Sequence, residues 1–133
     1  MITILCIEDE DDIRELLVEE LQDAGFGTLE AANGQEGLEL LVSKWPDIVL
    51  CDITMPVMNG HQLFAEIQLN YEQLANIPFI FLTALSDKEN TVTALKAGAA
   101  DYLTKPIDFD ILMAKITGCV SRIEGDRRTG RVF

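Results

Sequence analysis

Glu8, Asp9, Asp52, Thr83 and Lys105 each stand at or just past the end of a short apolar run. Brought to one place, they have the composition of a site for phosphoryl groups. Carboxylates about 4 Å apart repel by roughly 4 kcal/mol at an effective dielectric near 20, so they persist together when a cation sits among them. Oxygen ligands without His or Cys favour a hard ion, and Mg2+ takes one or two carboxylates with waters and phosphate oxygens. Lys105 adds an ammonium and Thr83 a hydroxyl donor. A cation, an ammonium and a hydroxyl together match the three oxygens of a phosphoryl group. His61 is the only histidine, and no Ser-His-Asp or Cys-His arrangement is apparent. A carboxylate is therefore the candidate nucleophile. Asp52 is the best placed, because it ends the central strand and no acid flanks it.

Taken singly, each residue has an ordinary explanation. Glu8 and Asp9 suit the first turn of a helix, and a strand-end Asp is often a turn or cap residue. Thr83 reads as a strand-end cap, and Lys105 before Pro106 as turn composition. Their convergence is what argues for a site, and convergence depends on the elements that position them.

Those elements alternate. Residues 2–7 form a strand-like run, and a helix follows over about 11–24 with Ile13, Leu16, Leu17 and Leu21 on one face. Gly25 occupies a helix C-cap position. A strand over 27–31 leads through Asn33-Gly34 to a helix at 35–43, which Trp45-Pro46 ends. The run 47–52 is strongly hydrophobic, and Met55-Pro56 and Asn59-Gly60 mark a loop before a helix over 61–70. A strand at 79–83 precedes a helix that Ser86 and Glu89 open as a capping box and that ends near Gly98. Residues 101–104 make a fifth strand, and Asp108 caps a last helix to about residue 123. The segment 125–133 shows no periodicity and reads as a tail or the start of a linker, leaving 1–124 as the domain. Five strand–helix units predict an α/β fold, a (βα)5 doubly wound five-stranded parallel sheet of order 2-1-3-4-5. Such sheets bind ligands at the carboxyl ends of their strands, where all five side chains stand.

Composition narrows the classes. A chain of 133 residues is one domain, and 48% hydrophobic residues argue against disorder. No apolar run reaches the roughly 20 residues of a membrane span, and no basic-flanked leader opens the chain, so a cytoplasmic location is expected. Cys6, Cys51 and Cys119 lack the spacing of disulfides or zinc sites and read as core residues. A formal charge of −13 argues against nucleic-acid binding by this domain, the only basic cluster being Arg127, Arg128 and Arg131.

The chain resembles the receiver domains of two-component response regulators over residues 2–124. The matching segments are Ile4-Leu5-Cys6-Ile7-Glu8-Asp9-Glu10, Pro46-Asp47-Ile48-Val49-Leu50-Cys51-Asp52-Ile53-Thr54-Met55-Pro56 with Asn59-Gly60, Ile80-Phe81-Leu82-Thr83-Ala84, and Ala97-Gly98-Ala99-Ala100-Asp101-Tyr102-Leu103-Thr104-Lys105-Pro106. The resemblance implies a flavodoxin-like fold and a signalling switch in place of an enzyme. Asp52 would accept a phosphoryl group from a phosphohistidine on a sensor histidine kinase or a histidine phosphotransfer protein. Glu8, Asp9, Asp52 and the backbone carbonyl of Thr54 would hold Mg2+, with Glu8 acting through a water. Thr83 and Lys105 would contact the phosphoryl group, and Tyr102 would turn into the space Thr83 leaves. Lys105-Pro106 would be cis. The surface of the fourth helix, fifth strand and fifth helix would then change, acting on an output domain or partner, and homodimerisation through it would draw on Lys115 and Arg122. Leu85 and Thr54 would border the path of a hydrolytic water and set the phosphoryl lifetime.

Rival readings fit less well. Asp52-Ile53-Thr54 also matches the Asp-x-Thr of ion-pumping ATPases in the haloacid-dehalogenase superfamily, but these need additional domains and downstream acidic motifs. A flavodoxin-type electron carrier needs a hydroxyl- and Gly-rich phosphate loop after the first strand, where this chain has Glu8-Asp9-Glu10-Asp11-Asp12. A degenerate receiver serving only as an interaction module would not need all five residues.

Overall fold

The computed structural model describes residues 1–84 and 88–128. Its strands are β1 (Thr3–Ile7), β2 (Gly27–Ala31), β3 (Ile48–Asp52), β4 (Phe79–Thr83) and β5 (Asp101–Thr104). They form one parallel sheet in the order β2-β1-β3-β4-β5. The helices are α1 (Asp11–Asp23), α2 (Gly34–Lys44), α3 (Gly60–Asn70), α4 (Lys88–Lys96) and α5 (Phe109–Arg128). A short 3-10 turn, Glu72–Leu74, lies between α3 and β4, where the sequence reading placed nothing.

Two apolar layers follow from strand geometry, since successive side chains face opposite sides of a sheet. Ile4, Cys6, Ile48, Leu50, Ile80 and Leu82 face one side and pack with Leu17, Val18 and Leu21 of α1 and Leu112, Ile116 and Ile123 of α5. Leu5, Ile7, Val49, Cys51, Phe79 and Phe81 face the other and pack with α2, α3 and α4. Both faces are covered, which is why β3 and β4 are apolar almost throughout instead of alternating with polar residues. The three cysteines are free and buried, and burial pushes the Cys6 thiol up to about 12. No helix of the described residues is long and apolar enough to cross a membrane.

Local chemistry places the helix ends. Asn59 caps α3 by accepting the Gln62 N–H at 2.9 Å, and Gln62 Oε1 accepts the Asn59 N–H at 2.9 Å, a complete capping box. Asp108 accepts from the N–H groups of Asp110 and Ile111 at 2.9 and 3.2 Å, capping α5 as expected. Two expectations change. Leu16 is 51% exposed, and Val18 takes its place beside Leu17 and Leu21 on the buried face of α1. α5 also runs beyond residue 123 to Arg128. Gly125 is a poor helix former, but Ile123 is buried and Arg127 donates to Asp47 at 2.6 Å, so tertiary anchoring overrides propensity. The capping role of Ser86, the position of Leu85 and the basic residue Arg131 lie outside the described residues.

Candidate functional site

Parallel register assembles the site. Ile7 pairs with Cys51, so the next residue along β1, Glu8, emerges beside Asp52. Asp52 pairs with Leu82, which precedes Thr83, and Thr83 pairs with Thr104, which precedes Lys105. The ladder continues past β5, where the Lys105 N–H donates to the Thr83 carbonyl at 2.8 Å. The peptide bond that follows, Lys105-Pro106, is cis, as the family resemblance implied.

Glu8 is wholly buried, Asp52 is 6% exposed and Thr83 2%, while Asp9 is exposed at the rim. The Lys105 ammonium bridges the two buried acids, 2.6 Å from Glu8 Oε1 and 2.8 Å from Asp52 Oδ2. Only the Asp52 contact has hydrogen-bond geometry, so Glu8 Oε1 has an ion-pair neighbour but accepts no hydrogen bond among the described residues. The other oxygens are held by backbone: Asp52 Oδ1 accepts from the Thr54 N–H and Glu8 Oε2 from the Glu10 N–H, each at 3.2 Å.

The charges are frustrated. Burial raises the Glu8 pKa above its ordinary value; Lys105 opposes the shift and neighbouring Asp52 reinforces it. Asp9 is raised in the same way, by desolvation and then by Glu8. For Lys105, burial acts downward, but its contacts with Asp52 and Glu8 outweigh it and push the pKa up. One ammonium thus serves a group of three acids. Glu8, Asp9 and Asp52 each offer an oxygen within 4.8 Å of the others. An all-oxygen donor set of three acids sharing a single ammonium fits a hard divalent cation.

The loop after β3 is built to leave this edge open. The Gly60 N–H donates to the Ile53 carbonyl at 2.9 Å. A Cβ on Gly60 would stand 2.5 Å from the Asp52 carbonyl oxygen, so only glycine lets α3 start this close to the acidic strand end. The Met58 N–H donates to the Pro56 carbonyl at 2.8 Å across Val57, whose φ is 68°. That is the rare, strained form of the γ-turn.

Glu8, Asp9, Asp52 and Lys105 come together with Thr54 at their border, while Thr83 ends the neighbouring strand with its hydroxyl bonded to Thr91 and Ala84 instead of to the acids. Tyr102 does not touch the acids. It is 39% exposed on β5 and borders a hollow of about 280 Å3 with Thr83, Ala84, Thr91, Val92, Leu95 and Thr104. Lys115 sits 5.8 Å from its ring centroid and pairs with Asp101 at 3.0 Å, so its charge is engaged within the chain. Two contributors escaped the sequence reading. Arg14 donates to the Glu8 carbonyl at 2.7 Å and pairs with Asp11 at 2.7 Å, bracing the first acidic strand end from α1. A lone Arg among Asp11, Asp12 and Glu15 was the available signal. Thr91 donates to Thr83 at 3.1 Å, and nothing in its sequence context marks it.

The chain is similar to known proteins in sequence and in fold. A family model described as the response regulator receiver domain matches residues 4–117. The phosphate regulon transcriptional regulatory protein PhoB of Pseudomonas aeruginosa is 36% identical over 120 residues, covering 90% of this chain and 52% of PhoB. The DNA-binding transcriptional regulator NtrC of Escherichia coli K12 is 37% identical over 126 residues, covering 95% of this chain and 26% of NtrC. The chain therefore spans about half the length, or less, of these curated relatives. Among solved structures, the signal receiver domain of a signal transduction histidine kinase from Syntrophus aciditrophicus matches with a TM-score of 0.84 at 32% identity, covering 92% of each chain. A response regulator receiver domain protein from Clostridium thermocellum matches with a TM-score of 0.85 at 29% identity, covering 93% of this chain and 98% of that one. Sheet order, strand-end acids and sequence all agree with this match, and the chain belongs to the receiver domain family of two-component response regulators.

Proposed function

We propose that the chain is a phosphorylation-activated switch in which Asp52 accepts a phosphoryl group from a phosphohistidine on a sensor histidine kinase or histidine phosphotransfer protein. The observation that carries this reading is the shared ammonium: Lys105 bridges Glu8 and Asp52 at 2.6 and 2.8 Å at the edge where Asp9 completes the acidic group. A carboxylate oxygen of Asp52 forms the new P–O bond as the P–N bond to the donor imidazole breaks. The electron pair returns to the ring nitrogen, which takes up a proton.

Glu8, Asp9, Asp52 and the Thr54 carbonyl would hold Mg2+. The ion supplies charge neutralisation for the phosphoryl oxygens during transfer. Lys105 pairs with a phosphoryl oxygen, and Thr83 donates its hydroxyl to another. The same residues support loss of the group to water, returning the chain to its starting state. Phosphorylation adds up to about two negative charges, so Thr83 and Lys105 shift inward and Tyr102 turns into the hollow it now borders. The α4–β5–α5 surface then changes shape and acts on an output domain or a separate partner. PhoB and NtrC are named as transcriptional regulators, and control of transcription by an attached domain is the fitting output. The switch would operate in the cytoplasm, where its phosphodonors are.

Incubation with a small acyl phosphate, followed by intact mass, tests the reading. The wild type gains one phosphoryl group in Mg2+ and none in EDTA, and Asp52→Asn gains none in either. Unmodified, folded wild type in Mg2+ would sink the proposal.

A further inference from the structure

The phosphoryl-contacting threonine is tied to α4. Thr91 is 7% exposed, and its hydroxyl donates to Thr83 Oγ1 at 3.1 Å. The Thr83 hydroxyl donates in turn to the Ala84 carbonyl at 3.3 Å. Among the described residues, then, the Thr83 hydroxyl uses its oxygen toward α4 and its proton toward the next residue's carbonyl, with no hydrogen bond to the side chains of Glu8, Asp52 or Lys105. Donating to a phosphoryl oxygen on Asp52 requires Thr83 to give up the Ala84 bond, since the hydroxyl has one proton. Both residues are largely buried, beside the hollow that Tyr102 borders.

We propose that Thr91 is a positioning residue that holds Thr83 in its resting state, so that the Thr91–Thr83 hydrogen bond raises the threshold for phosphorylation and links release of Thr83 to movement of α4. This rests on the reading of Asp52 as the acceptor and adds to it a specific restraint. In this proposal the restraint belongs to the resting state, the Thr83 hydroxyl leaving Thr91 as it turns toward the acidic edge. Removing it lowers the cost of reaching the phosphorylated arrangement by the net worth of one neutral hydrogen bond, or about two- to tenfold in rate.

The test compares wild type, Thr91→Val and Thr91→Ser for rate of phosphoryl gain from a small acyl phosphate in Mg2+, read by intact mass. Val keeps the shape and removes the hydroxyl; Ser keeps the hydroxyl and removes a methyl. The expected result is a two- to tenfold faster gain in Thr91→Val and a wild-type rate in Thr91→Ser. In a Thr83→Ala background the Val substitution is expected to have no effect. A wild-type rate in Thr91→Val, a change in Thr91→Ser alone, or a Val effect that survives Thr83→Ala would each overturn the restraint while leaving Asp52 as acceptor. No phosphoryl gain by the wild type would remove the acceptor reading itself, and the restraint with it.

Discussion

The two ends of the sheet treat an aspartate in opposite ways. At the amino-terminal edge, Asp47 Oδ2 accepts the Thr3 N–H at 2.8 Å and Oδ1 accepts from Arg127 at 2.6 Å. At the carboxyl-terminal edge, Lys105 is shared between Glu8 and Asp52, Asp9 adds a third acid, and Glu8 Oε1 accepts no hydrogen bond among the described residues. A sizeable hollow, about 300 Å3 and lined partly by Trp45, Pro78 and Arg127, lies at the first end, away from the acids. An acid with its own donors therefore marks the structural end, and acids sharing one ammonium the chemical one.

That contrast can be broken most strongly at Glu8. With its folded pKa raised, the native state binds more protons than the unfolded chain as pH rises from about 4.5, so stability falls through the Glu8 titration. In EDTA, thermal melts should show Tm falling over that range, and Glu8→Gln should flatten the slope and raise stability at neutral pH. Mg2+ should stabilise the wild type by about 1.4 kcal/mol at ten times its Kd and about 2.7 at a hundred times. The gain should largely vanish in Glu8→Gln. A wild type whose Tm ignores both pH and Mg2+ would contradict the frustrated reading of this edge.

The amino-terminal edge should answer differently. Asp47→Ala removes the acceptor for the Thr3 N–H and is expected to cost about 1–2 kcal/mol in denaturant melts, with phosphoryl gain at Asp52 unchanged. A slowed phosphorylation there would mean that the two ends are coupled. Arg127→Ala is the mildest change. Arg127 is mostly exposed, so its loss should cost no more than about 1 kcal/mol, and the effect should shrink further in high salt.

How much of this could be read in advance differs by level. The alternation of apolar runs and amphipathic stretches placed all five strands and all five helices to within a few residues, because burial on both faces leaves a strong periodic signal. It failed where tertiary contacts outvote local preference. Leu16 has the spacing of a core residue, yet it points outward while Val18 packs. Gly125 should end a helix, yet the Arg127–Asp47 pair, 80 residues apart in sequence, holds α5 to Arg128.

The site divides along the same line. Residue types at the strand ends determined which groups could gather: three acids, a threonine and a lysine, with the donor chemistry for a hard cation and a phosphoryl group. Parallel register then brings them together with little freedom, since one strand's end dictates its neighbour's. The shared ammonium, the buried oxygen without a hydrogen bond and the tie from Thr91 to Thr83 were decided only by the tertiary structure. Hydrogen bonds between side chains on different elements depend on ångström-scale packing of a helix against a sheet. No periodicity in the chain encodes that distance.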